Sequence, residues 1–188
     1  DDIYSVYFNP AGITRAKGNS QVAFNHSEWL ADVNYDFAAG SINVDGLGTI
    51  FATFSSLQVP KDEVRTIEYP EGDGRTWDAN SLVLGVGFAK SLTDRFSIGF
   101  QLKYVQESIW NSSATAVAID VGTYYVTPFN DLVIGASFSN FGSKMQLAGR
   151  DLQINIDPNE TSESGPNNIP GNYEAEKNDL PLNFRVGL

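Results

Sequence analysis

Bulky apolar residues and small or polar residues alternate one by one along much of this chain, and helical periodicity is almost absent. In FSIGFQLKY, Phe96, Ile98, Phe100, Leu102 and Tyr104 fall on one side, and Ser97, Gly99, Gln101 and Lys103 on the other. A strand turns successive side chains to opposite faces, so this segment predicts one bulky face and one slim face. ATAVAIDVGTYYV repeats the scheme. Thr115, Val117, Ile119, Val121, Thr123 and Tyr125 oppose Ala114, Ala116, Ala118, Asp120, Gly122 and Tyr124. LVIGASF and LVLGVGFA follow it too, with Ile134, Ala136 and Phe138 against Val133, Gly135 and Ser137, and Leu84 and Val86 against Gly85 and Gly87.

The pattern predicts eight strands, at 20–28, 31–41, 47–58, 80–91, 95–108, 114–127, 131–141 and 181–188. Several reach the ~9–11 residues of a transmembrane strand. Short connections near 42–46, 92–94 and 128–130 alternate with longer ones at 59–79, 109–113 and 142–180. That is the layout of outer-membrane barrels, whose periplasmic turns are short and extracellular loops long. It sets the N-terminus on the periplasmic side; the short 29–30 connection is the exception. A hairpin centred near Asn111 and Ser112 would set Lys103 opposite Asp120, Leu102 opposite Val121 and Phe100 opposite Thr123. A turn centred at Pro128 and Phe129 would pair Val121 with Ala136 and Thr123 with Ile134.

A soluble sandwich also alternates, but its solvent face carries long charged side chains. Here the second face is mostly Gly, Ala and Ser, which suits an enclosed lumen approached by another segment or a ligand. Trp29 and Trp110 fall at one expected rim, and Phe96, Tyr125 and Phe129 near the other. Two aromatic belts are expected where a barrel crosses both interfaces, although aromatic residues also favour strands in general. The expected fold is therefore all-β, an antiparallel up-and-down transmembrane β-barrel, and the expected location is the bacterial outer membrane, with its lipid as a partner.

Composition narrows the chemistry. The chain of 188 residues has no Cys and one His, His26, which removes disulfides, thiolate sites and multi-His centres. The net charge of −11 argues against nucleic acid as a partner. Six of the 23 acids lie in 61–78 and seven in 151–179, both expected loops. No EF-hand spacing occurs in them, and Gly85-Val86-Gly87 lacks the third glycine and following helix of a nucleotide loop. No cofactor or metal is expected, and no nucleophile–base pair or carboxylate dyad suggests an enzyme. Asn25, Asn111 and Asn159 begin N-x-S/T sequons, which carry no weight in a bacterial outer membrane.

The opening Phe8-Asn9-Pro10-Ala11-Gly12-Ile13, then Lys17-Gly18 and a strand beginning Gln21-Val22-Ala23-Phe24, resembles the start of FadL-like outer-membrane proteins, most closely the PorV/PorQ branch. LPLNFRVGL at 180–188 is similar to a mid-barrel strand of that branch. The resemblance implies a barrel of roughly 14 strands, of which this chain supplies about the first half. Residues 1–19 would be an N-terminal hatch or plug segment, and 20–188 barrel strands and loops. It also implies a role in type IX secretion, binding the C-terminal signals of cargo proteins and passing cargo to other secretion-system proteins. FadL relatives instead conduct hydrophobic ligands, which is the alternative function; a soluble β-protein of a surface assembly is the second alternative.

Two constellations stand out. Asn9, Pro10, Ala11 and Gly12 read as a hatch turn inside the barrel or as a plain connecting turn, with Pro fixing φ and Gly permitting the left-handed region. Lys103 and Asp120 read as a lumenal polar pair contacting plug or cargo, or as charge compensation within the wall. His26 reads as an exposed strand residue. The 142–180 connection, with its NETSESGPNNIPGN stretch, reads as a recognition loop or a mobile spacer.

Overall fold

The computed structural model describes residues 2–157 and 169–188, so Asn159 and most of the NETSESGPNNIPGN stretch lie outside the described residues. The chain forms an antiparallel sheet of up-and-down strands. Its main strands are β1 (Ser20–Glu28), β2 (Asn34–Val44), β3 (Gly48–Glu63), β4 (Thr76–Ser91), β5 (Phe96–Ile109), β6 (Ser112–Val126), β7 (Val133–Gly142) and β8 (Asn183–Gly187). They pair in sequence order, and Ala148–Gly149 pairs additionally with β6.

Among the described residues no closed barrel forms: β1 and β8 are the two edges and do not pair with each other. Residues 2–16, with a helical turn at Ser5–Phe8 and a 3-10 helix at Pro10–Arg15, lie on the inner face of the sheet.

Element boundaries depart from the alternation in identifiable places. The second strand starts at Asn34 rather than 31, because Ala31 and Asp32 turn with φ of 60° and 56°. β3 and β4 run on into the expected 59–79 loop, forming a hairpin arm of 16 residues per strand with a bulge between Val59 and Asp62, at Pro60. Pro cannot donate to a ladder, which explains the bulge there.

Both expected registers are wrong by two residues while their parity holds. Gln101, not Lys103, lies opposite Asp120; Lys103 lies opposite Ala118, Leu102 opposite Ile119 and Phe100 opposite Val121. Likewise Val121 pairs with Phe138, Thr123 with Ala136 and Tyr125 with Ile134. The cause is turn geometry. The β5–β6 connection closes on two residues, Trp110 and Asn111, with Trp110 at φ 51°, one residue earlier than the expected centre. The β6–β7 turn uses Asn130 and Asp131 at φ 48° and 51°.

The faces sort as the alternation predicts. Phe100, Leu102 and Ile119 are 44, 50 and 45% exposed, whereas Gly99, Gln101, Ala118 and Asp120 are buried. Along β5 and β6 the bulky apolar side chains thus face outward and the small or polar ones inward. The inner core is built by Ile3, Val6 and Ile13 from the N-terminal segment against Phe37, Ala39, Phe51 and Ala89. A second cluster forms towards the long-connection end, where Met145 packs on Val105, Ala114 and Ala116.

One irregularity was invisible to the alternation. Between Ile119 and Val121 the β6–β7 register shifts, because β7 carries an extra residue at Ser139–Asn140. Asn140 sits at φ 65°, and the Asp120 carboxylate accepts its backbone N–H at 2.8 Å. Asn tolerates the left-handed region better than most residues, and a bulge strips a ladder bond that Asp120 replaces. Asn140→Val is expected to destabilise the protein by about 2 kcal/mol, read by equilibrium denaturant unfolding, since a β-branched residue is strained at that φ.

Candidate functional site

The candidate site is the inner face of the sheet, built in three tiers. The lowest is the docked Asn9–Gly12 turn. Asn9 caps the 3-10 helix, its Oδ1 accepting from the Ala11 N–H at 3.0 Å, with Pro10 at the first helical position. Its amide nitrogen donates outward to the carbonyls of Thr123, at 2.9 Å, and Ala136, at 3.4 Å. The Ser137 hydroxyl donates to the Phe8 carbonyl at 2.7 Å. These bonds tie the turn to β6 and β7. The slim face makes the approach possible: a Cβ on Gly99 would lie 2.6 Å from the Pro10 carbonyl oxygen, and one on Gly122 would lie 2.8 Å from Pro10 Cδ. Farther along, Arg15 donates to the Asp94 carbonyl at 2.9 Å and lies over the Tyr124 ring at 5.3 Å. Of the two readings of Asn9, Pro10, Ala11 and Gly12, the geometry is that of a segment packed inside the curve of the sheet; all but half-buried Asn9 are buried.

The middle tier is polar. Lys103 Nζ and Asp120 Oδ1 are 2.8 Å apart, with side chains only 12 and 7% exposed. The expected pair is therefore present, but it forms diagonally across the ladder rather than between facing residues. Lys103 also donates to Asn140 Oδ1, and Asn140 donates to the Pro181 carbonyl at 2.8 Å. One ion pair thus holds β5, β6, the β7 bulge and the approach to β8. Gln101 donates to Thr53 Oγ1 at 2.6 Å, closing the tier on the β3 side. Arg185 reaches the Ser139 hydroxyl at 3.4 Å. Between this tier and the N-terminal segment lies a cavity of about 560 Å³, bordered by residues of all strands from β2 to β8, among them Tyr35, Thr53, Gln101, Lys103 and Arg185. Its lining mixes hydroxyls, amides and charges with rings and aliphatic side chains, so it offers hydrogen bonds alongside apolar contact.

The top tier is the rim, where the long connections meet. Trp29 and Trp110 stand at this end; Phe96, Tyr125 and Phe129 stand at the opposite, short-turn end, with Phe96 and Tyr125 rings 6.3 Å apart edge to face. Arg75 lies 5.7 Å from the Trp110 ring centre. The described part of the 142–180 connection is pinned rather than loose. Asp151 accepts from the Asn111 backbone and side-chain nitrogens, both at 2.9 Å, and from Ser112 Oγ at 3.4 Å. Arg150 donates to Asn111 Oδ1 at 2.8 Å, and Lys144 pairs with Asp179 at 3.3 Å. Gln153–Ile156 pairs with Ile169–Asn172. Partial desolvation pushes the Asp151 carboxyl up, but the bonds from Asn111 and Ser112, with Arg150 beside it, outweigh that and hold it below the usual carboxylate range.

Alternation alone missed Asn140, Asp151 and Met145 as parts of this site. Asn140 had a faint signal, a Ser-Asn step inside a strand. Asp151 had none, because its partners are 40 residues away.

Lys103→Met is expected to cost about 3 kcal/mol in denaturant unfolding, because it leaves the Asp120 carboxylate buried without its cation. Adding Asp120→Asn to that variant should recover part of the loss. The Asp151 pin is also expected to respond to acid. Its folded pKa is depressed, so its contribution is complete above the unfolded value of about 3.9 and fades as pH falls through the lower folded one. Proteolysis within the β7–β8 connection should accelerate below about pH 4, and Asp151→Asn should blunt that dependence.

No family model, curated protein or solved structure matches this chain.

Proposed function

We propose that this chain forms part of the wall of an outer-membrane β-barrel, a PorV-like secretion component whose extracellular connections bind cargo or partner proteins. The observation that supports this reading is the inverted burial of the sheet. Its outer face presents Val22, Phe24, Ile50, Leu84, Val86, Phe100, Leu102, Ile119 and Phe138 without cover, while Gln101, Lys103, Asp120, Ser137 and Ser139 turn to the inner face. A water-soluble domain rarely leaves so continuous an apolar surface exposed. Hydrocarbon is the environment in which such a face is stable, and every backbone group in a paired ladder is already satisfied there. Trp29 and Trp110 at one end of the sheet and Phe129 at the other would then lie near the two interfaces, where aromatic residues are favoured.

The secretion role rests on the resemblance of the NPAG opening and the NFRVGL strand, joined to a physical argument about the lumen. A conduit for hydrophobic molecules needs a continuous greasy path. This interior is occupied by residues 2–16 at one end, crossed by the Lys103–Asp120–Asn140 tier, and overlaid by Met145 near the rim. A plugged wall with a structured outer rim suits protein docking better than diffusion.

Leu102→Arg, in the middle of the outer face, is expected to reduce folding into lipid vesicles by about 2–4 kcal/mol. Gln101→Arg on the inner face tests space and not lipid contact. Heat-dependent migration on a gel and partitioning of the full-length protein into detergent provide the direct reading. Full solubility in buffer without detergent would end the barrel assignment. Normal cargo export in a deletion strain, with impaired uptake of a hydrophobic solute, would replace the secretion role by the channel role.

A further inference from the structure

The rim has a strong charge asymmetry. Across 26–36, 61–78, 107–111, 144–157 and 169–179 it carries fifteen Asp and Glu against six Lys and Arg. The short-turn end, at 14–20, 42–48, 90–96 and 127–132, carries three acids and four bases. Most rim cations are already committed. Arg65 pairs with Asp62, Arg75 with Asp73, Lys144 with Asp179, and Arg150 bonds Asn111. The surplus is therefore negative, and no described cation pairs with Glu68, Glu71 or Glu176.

Within this field lies a shaped groove. Its volume is about 460 Å³, and it runs between residues 146–153 and 172–175, with Leu147, Leu152, Tyr173 and Glu174 among its walls. Tyr173 is 64% exposed. One wall of the groove is held in place, because Arg150, which lines it, and the neighbouring Asp151 are both bonded to Asn111. Trp110, held at φ 51° in the adjoining turn, is a strained residue stabilised by those contacts.

We propose that this groove docks an extended, cationic segment of a partner protein, with an apolar or aromatic side chain seated against Tyr173 and Leu147 and Lys or Arg residues meeting the surrounding carboxylates. The inference rests on the reading that this end of the protein meets partner proteins, and it names their chemistry. The apolar contact supplies affinity in the desolvated centre, and the acidic surround supplies encounter rate and sign selection. An acidic segment would be repelled by the same field, and a neutral one would gain no steering from it.

The test uses the full-length protein in detergent micelles and two labelled peptides, one alternating Lys with Val and its counterpart with Glu for each Lys. The Lys–Val peptide should bind and the Glu–Val peptide should not. Binding should weaken with added salt, over a screening length of roughly 10 Å at 0.1 M. Tyr173→Ala and Glu174→Lys should each weaken it by roughly tenfold, a loss of hot-spot size. The double variant Glu68→Gln/Glu71→Gln, on the β3–β4 arm, should change it less than about threefold. No binding by the Lys–Val peptide, or an equal loss in the arm variant and the groove variants, overturns the proposal, the second outcome because a diffuse field then explains everything. Heat-dependent gel migration of the same preparation separates the two readings: peptide binding by a protein that is not a barrel sinks the proposed function alone, and a barrel that ignores the peptide sinks this inference alone.

Discussion

The slimness of the inner face is the constraint on which the rest of the structure depends. Pro10 can lie on β5 and β6 only because positions 99 and 122 have no Cβ. Once it lies there, Asn9 can reach two strand carbonyls and Ile13 and Val6 can enter the core. The interior of this protein is thus made by its own first residues rather than by a second sheet.

Above that filling, a single buried charge pair takes over the organising role. Lys103 and Asp120 could not stand alone in so enclosed a place, and each is given further partners at Asn140. The price is one extra residue in β7, and the bulge in turn aims Asn140 at the Pro181 carbonyl. β5, β6, β7 and the approach to β8 are thereby linked through one network, in which removing any member leaves a buried polar group unsatisfied.

The outer face and the rim divide the remaining work. The outer face is uniform, apolar and suited to a non-aqueous surrounding. The rim is acidic, aromatic in places and tied down by hydrogen bonds around Asn111. Binding sites concentrate on connections held by a rigid scaffold, and the pinned β7–β8 connection is of that kind.

Much of this was legible in the sequence, and the limit has a physical form. Strand alternation is a local property with a period of two, so face assignment at Phe100, Leu102, Gly99 and Asp120 follows from the residues themselves. The same period leaves register undetermined in steps of two, and both expected pairings slipped by that amount because the turn residues Trp110, Asn130 and Asp131 take left-handed conformations. Lys103 and Asp120 were identifiable as a pair because long side chains reach across such a slip. What only the tertiary structure decided is where non-local partners fall: Asn9 on Thr123, Asp151 on Asn111, Met145 on Val105. Those contacts join residues far apart in the chain, and no local pattern carries the curvature that brings them together.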